Sequence, residues 1–497
     1  GWFCFANNQI HQQLLHYLDP LEHRSIHKQT VAYLCKHDPE NFYDLAFHYD
    51  AAGDGELALT TSLRAARAAR QRFSLSVAQD QLEIAKRWVG SDDRETGFEI
   101  FEGLGTIHLL AGRYNQAADN LYAALELADT PLERARVQQQ IGEVAFKRGR
   151  FNEAATQYEQ ALAVTGVRVP GNFFTMFCGL AIQIFFQVLH SFLPARWIAR
   201  KKTLSELDCL RLDLLSRLSR VYWFSRHTLW TLGNHLRSLN EAERFAPSAT
   251  LAAVYSEHGP VMSLLRWFGR ANRYANRSLA IRSTLNDVWG QGQSHHYHCV
   301  VMLAECRFDE AITTSKHAVD LLRQTGDVWE MNMARYQAAN ALYRIGRYAE
   351  AAELASQMFE SGRQIGDRQA TGISLDVWAR TTPQTLSLPL VLEEAARSRP
   401  DAQSHAQTQL AFAVMLLHHN RIDEAVVVLQ DAIKRCEKAG HLNAYISPCY
   451  VWLGTAMRRQ LEAIDRRDGR GFKKRMRKTR SAMHKAATIA RGFPADL

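Results

Sequence analysis

Small apolar residues return at a fixed interval along two stretches of the chain. Gly105, Gly112, Tyr114, Ala117 and Ala124 are matched 37 positions later by Gly142, Gly149, Phe151, Ala154 and Ala161. A second set has a period of 40. Leu285-Asn286-Asp287-Val288-Trp289 returns as Thr325-Gly326-Asp327-Val328-Trp329 and again as Ile365-Gly366-Asp367. Arg307-Phe308-Asp309-Glu310-Ala311 returns as Arg347-Tyr348-Ala349-Glu350-Ala351, Ala271 lies 40 before Ala311, and a further unit stands at Arg421-Ile422-Asp423-Glu424-Ala425 with Ala432. Each unit predicts a helical hairpin. A first helix ends at a Gly or small polar residue, a tight turn follows, and an aromatic or Ile wedge precedes an Ala that lets the two helices approach closely. Asp287, Asp327 and Asp367 are placed to cap the next first helix, since a carboxylate accepts its orphan amides. One hairpin cannot bury its own apolar face, so neighbours must stack. The expectation is an all-α fold, an α-solenoid of hairpins in two arrays.

G-x-Y-x-x-A with a second Ala seven positions on resembles the tetratricopeptide repeat. Periods of 37 and 40 exceed that family's usual length of about 34 and predict longer helices. A second resemblance rests on Arg24-Ser25-Ile26-His27-Lys28, Leu45-Ala46-Phe47-His48-Tyr49, Ala51-Ala52-Gly53-Asp54, Ala58, Ala65-Ala66 and Ala68-Ala69. It continues in Leu239–Arg244, Arg277–Arg282 and the Asp-Val-Trp repeats. These are similar to the helical region that follows the nucleotide-binding and winged-helix parts of bacterial STAND-type signalling ATPases. The resemblance implies a sensor and scaffold arm, linked in the full-length chain to flanking ATPase and output domains such as a kinase or cyclase.

The chain itself has no G-x-x-x-x-G-K-[ST], no G-x-G-x-x-G opening a helix, no G-x-S-x-G, no H-E-x-x-H and no kinase loop set. No carboxylate stands isolated beside a partner base. The expectation is therefore no enzyme and no cofactor, with any ATP hydrolysis upstream. His295-His296-Tyr297-His298-Cys299 puts His295, His298 and Cys299 on one helical face, as metal ligands could stand. Nothing completes such a set, and packed histidines are the favoured reading, for His27 and His48 as well.

Composition narrows the class. Proline is 12 and glycine 28 of 497 residues, too few for a disordered or turn-rich all-β chain. The chain opens Gly1-Trp2-Phe3-Cys4-Phe5 with no secretory signal, like a piece of a longer protein. Eight scattered cysteines without a C-x-x-C pair are expected as reduced core thiols of a cytoplasmic protein. The net charge of +9 is local. Met457–Arg491 holds 13 Lys and Arg against Glu462, Asp465 and Asp468, which is +10 and leaves −1 for the rest. A nucleic-acid surface along the whole body is thereby disfavoured. Arg470, Lys473, Lys474, Arg475, Arg477, Lys478 and Arg480 form a patch for an anionic partner or the solvated face of a final helix.

Val169–Ala195 is 27 residues without a charge, followed by Arg196, Arg200, Lys201 and Lys202. Three placements suit it: a buried or interfacial helix between two arrays, a membrane contact through 173–193, or a true span. Gln183, Gln187, His190 and Ser191 draw one polar stripe along it, which favours the first, with the stripe turned to water or a partner.

The expected organisation is a helical neck over 1–90, a first array over 91–168, an apolar connector over 169–235 with a helix at Leu204–Leu218, a second array over 236–456 and a basic helix over 457–497. In tetratricopeptide stacks the first helices line a concave groove. Carried onto this sequence, the groove residues are Arg136, Gln139 and Glu143 in the first array and His296, Val300, Met333, Tyr336, Asn340 and Tyr343 in the second. They suit a protein or peptide partner or a small effector. A static adaptor, and a nucleic-acid or membrane-surface binder acting through the basic helix, are the rival readings.

Overall fold

The computed structural model describes residues 18–193, 203–226, 228–397, 399, 401–440, 442–463 and 469–493. Among these are 23 α-helices and no strand. The chain divides into two compact units, Gly1–Ala111 with Asn115–Asp129, and Gly112–Tyr114 with Thr130–Leu497. The division falls inside the stretch expected as one first array.

The first unit contains α1 (Pro20–His37), α2 (Phe42–Ala52), α3 (Gly55–Gln71), α4 (Leu75–Trp88), α5 (Arg94–Leu110) and most of α6 (Tyr114–Leu127). Ala66, Ala69, Ala78, Leu82, Ile100, Leu104 and Ile107 form its core. Of the neck expected over 1–90, the described part from residue 18 on is built from packed helices. A Cβ at Gly105 would stand 2.6 Å from Leu121, so its lack of a side chain sets the approach of α5 and α6.

In the second unit, α7 (Pro131–Lys147) pairs with α8 (Phe151–Val164), α10 (Glu206–Ser225) with α11 (Thr228–Ala242), and α12 (Ala249–Leu264) with α13 (Phe268–Thr284). Then follow α14 (Val288–Ala304) with α15 (Phe308–Thr325), α16 (Val328–Arg344) with α17 (Tyr348–Ile365), and α18 (Arg368–Thr381) with the short α19 (Leu388–Ala396). The last pairs are α20 (Ala402–His418) with α21 (Ile422–Ala439) and α22 (Ser447–Glu462) with α23 (Gly469–Ala490). From α10 on, successive first helices also touch one another: α10 with α12, α12 with α14, α14 with α16, α16 with α18 and α20 with α22. That layout is an α-solenoid.

Two expectations shift. Residues 206–242 form a hairpin in line with the others, so among the described residues of the connector α9 (Phe173–Phe192) is the helix that departs from the stack. The basic segment is not one helix, because its first residues end α22 at Glu462 and a separate helix, α23, runs Gly469–Ala490.

The repeats explain their own residues. Ala117, Ala124, Ala154, Ala161, Ala271, Ala311, Ala318, Ala351, Ala425 and Ala432 are fully buried at helix crossings. Within hairpins the turn needs one left-handed residue, closed by a bond from the next amide to a carbonyl five back, as Arg347 N to Leu342 O. Gly149 and Gly346 supply it at φ 74° and 79°, whereas Arg266, Cys306 and Asn420 take the same conformation at φ 58°, 63° and 59° with a side chain present. Asp287 accepts from Gly290 N at 2.8 Å, Asp327 from Glu330 N at 3.2 Å and Asp367 from Ala370 N at 3.0 Å, as caps should.

Candidate functional site: the inner row of first helices

Most of the residues expected to line a groove are covered by the chain itself. Gln139, Glu143, His296, Met333, Tyr336 and Asn340 are buried, and Arg136, Val300 and Tyr343 are half-buried. On α7, Arg136 pairs with Glu206, Gln139 donates to Asp213, and Glu143 pairs with Arg217, all on α10. Gln139 and Glu143 are therefore covered by the neighbouring repeat, and Arg136 stays partly exposed beside Glu206.

Glu143 also accepts from Arg220 at 2.8 Å and from Tyr158 Oη at 2.9 Å. Burial alone would raise this carboxyl, but Arg220, Arg217 and Lys147 hold it down at about 2. Arg220 reaches on to Glu330 on α16, 3.9 Å away. Glu330 accepts from Gln293 at 3.0 Å and lies 3.0 Å from His296 Nδ1. It too is held at about 2, against burial, by His296 and Arg220. Lys147 bonds Asp327 at 3.0 and 3.2 Å, with both side chains buried, across 180 positions of sequence. Trp289 Nε1 donates to the same carboxylate, and Phe146 meets the Trp329 ring edge-on at 5.6 Å. Asp367 goes the other way: burial lifts its carboxyl to about 6, against its bonds to Ala370 N and Gln369 N and against Lys147 and Arg399.

Farther along, Tyr336 Oη lies 3.4 Å from Asp376, which pairs with Arg380 at 2.8 Å, and the Arg380 guanidinium sits 4.4 Å over the Tyr343 ring. Asn340 donates to Tyr336 O, and Gln407 donates to Tyr336 Oη. Met333 belongs to the core cluster. The register that places these positions inward was readable in sequence. Their partners Arg217, Arg220 and Asp376 carried no sequence signal, because they stand tens of residues away.

The histidine-rich stretch diverges in space. His298 Nε2 lies 2.8 Å from Asn272 Oδ1, His295 faces the His317 ring and Cys299 Sγ points at Ala311 O. Among the described residues no group of three His, Cys, Asp or Glu could hold a metal ion. His27 is buried against His48, with their Nδ1 atoms 2.7 Å apart. Only Cys299, Cys436 and Cys449 are core thiols; Cys35, Cys178 and Cys306 are exposed, Cys209 is half-buried and Cys4 lies outside the described residues. The expectation of core thiols holds for three.

A cavity of about 320 Å3 lies away from the inner row, between α9, α10 and α11. Gln183, Trp230, Asn234, Arg237 and Glu241 give it a mixed lining. On α23, Thr479, Ala486 and Ala490 are buried, while Lys473, Lys474, Arg475, Arg477, Lys478 and Arg480 are exposed. Arg470 begins that helix, and its side chain lies outside the described ones.

The family model of the tetratricopeptide repeat matches residues 98–165. That segment is a tetratricopeptide-repeat array. Helical hairpins continue through the second unit, and tetratricopeptide repeats are protein-interaction scaffolds. Three solved structures are similar. A Rap protein complexed with competence and sporulation factor is 14% identical, with 89% of this chain and 99% of that chain covered and a TM-score of 0.36. Yeast Tom70 is 12% identical, with 81% and 96% covered and a TM-score of 0.30. A STAND signal-transduction ATPase with a tetratricopeptide repeat sensor, from Pyrococcus horikoshii, is 10% identical, with 96% and 55% covered and a TM-score of 0.29. Likeness at these TM-scores assigns no function. No curated protein matches the chain in sequence.

Proposed function

We propose that the chain is a non-enzymatic tetratricopeptide module of a cytoplasmic signal-transduction ATPase. It binds a protein or peptide and passes that occupancy to flanking catalytic and output domains. The observation that carries the reading is the buried inner network. Lys147–Asp327 and Glu143–Arg220–Glu330 tie α7, α10 and α16 together, so hairpins far apart in sequence share one set of contacts. A ligand that favours a different spacing of the first helices must break those pairs, and its differential affinity shifts the whole stack. The exposed thiols of Cys35, Cys178 and Cys306 suit a reducing compartment.

The test takes a random twelve-residue peptide library selected on this chain, followed by calorimetry with the best binder. Micromolar binding that raises the melting temperature supports the module. In the full reading frame the same peptide should change ATP turnover. Binding without any change in turnover reduces the protein to a static adaptor, and a library with no binder removes the reading.

A second reading rests on α23. Its outward cations stand on a helix with no acidic residue between 469 and 491, which suits a polyanion.

A further inference from the structure

Helix α9 is inside out. Its polar stripe, expected to face water or a partner, faces the protein: Asn240 Nδ2 donates to Gln183 Oε1 at 2.8 Å, Gln187 Nε2 lies 3.5 Å from Tyr274 Oη, and His190 Nδ1 lies 2.7 Å from Glu243 Oε2. Met176 and Leu180 pack with Leu236 on the same side. The rest of the surface is apolar and bare. Phe174, Phe185 and Phe192 are 75%, 64% and 83% exposed, and Phe173, Phe177, Ile182, Val188 and Leu189 stand out with them. The helix is long and apolar enough to cross a membrane, yet only 17% of its apolar window is buried.

We propose that this face is a bilayer-docking surface, with α9 lying in the plane of one leaflet. Three observations favour lipid over a second protein. At 100° per residue the exposed apolar positions sweep about 220° of the circumference, far wider than the ~100° stripe one packed helix covers. Such an arc suits a helix sunk past its axis into acyl chains. Gln183, Gln187 and His190 are already bonded to the protein, so sinking the outer face strands none of these three. The sequence that follows brings Arg196, Arg200, Lys201 and Lys202 with no acid before Glu206, the charge that anionic headgroups attract. A true span is disfavoured because α9 is fastened from Met176 to His190 onto helices of the repeat stack. About 30 Å of helix then lies along the surface.

The whole chain is floated with vesicles of phosphatidylcholine alone and with added phosphatidylserine. The wild type should float, more strongly with phosphatidylserine. F174E/F185E/F192E should stay in the lower fraction, its partition falling roughly tenfold or more, with unchanged circular dichroism. If that variant misfolds, F185E alone should reduce flotation and keep the fold. Spin labels at Phe174→Cys and Phe192→Cys, in a chain with its exposed native cysteines replaced by Ser, should report equal shallow depths. A wild type that stays down with every vesicle, or equal flotation of the Glu variants, overturns the proposal. So do unequal label depths, which mean a span. A dimer in solution broken by F185E, without flotation, also overturns it and assigns the face to a second copy.

Discussion

Two sets of cations in the same unit show opposite uses of charge. Lys147 is buried and Arg217 and Arg220 are half-buried, each matched by a carboxylate, and their ion pairs link first helices. Lys473, Lys474, Arg475, Arg477, Lys478 and Arg480 sit on the outside of α23, in water, on a segment without acids. The interior set was paid for in desolvation and is committed to structure. The exterior set is hydrated and remains available to an anion. A count of Lys and Arg does not separate the two; burial does.

The largest effect should come from splitting an interior pair. K147M leaves Asp327 buried without its ammonium and should cost about 3–5 kcal/mol in urea denaturation. K147M/D327N should recover most of that, because Asn still caps α16. Equal losses in the single and double variants would show that the pair contributes only packing.

Next comes pH. Glu143 is held at about 2 in the folded chain, below its ordinary value of 4.5. Its stabilisation is fully present above about 4.5 and fades as pH falls toward 2, up to about 3 kcal/mol in total. Asp367, raised to about 6 from 3.8, has the opposite sign: it favours the fold below about 4 and loses that contribution as pH rises through 6. E143Q should therefore flatten the acid limb of the stability profile, and D367N the limb between pH 4 and 6.

The exterior set should answer differently. K473E/K474E/R475E should change stability by less than about 0.5 kcal/mol, since these side chains are exposed. Yet it should abolish retention on heparin. The smallest effect concerns salt. Raising NaCl to about 0.5 M should leave the melting temperature almost unmoved, while heparin retention by the wild type disappears. A large salt effect on melting would mean that the interior pairs are wetter than their burial implies.

Much of this architecture was legible in the chain. The periods of 37 and 40, the alanines at crossings and the capping aspartates are local signals, and local sterics and hydrogen bonding enforce them wherever they stand. That the groove positions share faces of the first helices was legible, because helical register fixes which residues share a face. Their occupancy was not. Glu143 meets Arg217 and Arg220 only after the next hairpin folds back on α7, and Lys147 meets Asp327 only after several hairpins have stacked.

Helix α9 marks the same limit. Its pattern announced two faces, one polar and one apolar, and the reading that turned the polar one to water or a partner is reversed in the structure. By itself the sequence determined the hairpins, their caps and their spacing, because those depend on residues a few positions apart. The tertiary structure alone decided that the polar face of α9 would be spent on Asn240, Tyr274 and Glu243, because hydrogen-bond partners on other helices, not periodicity, set the direction a helix face must look.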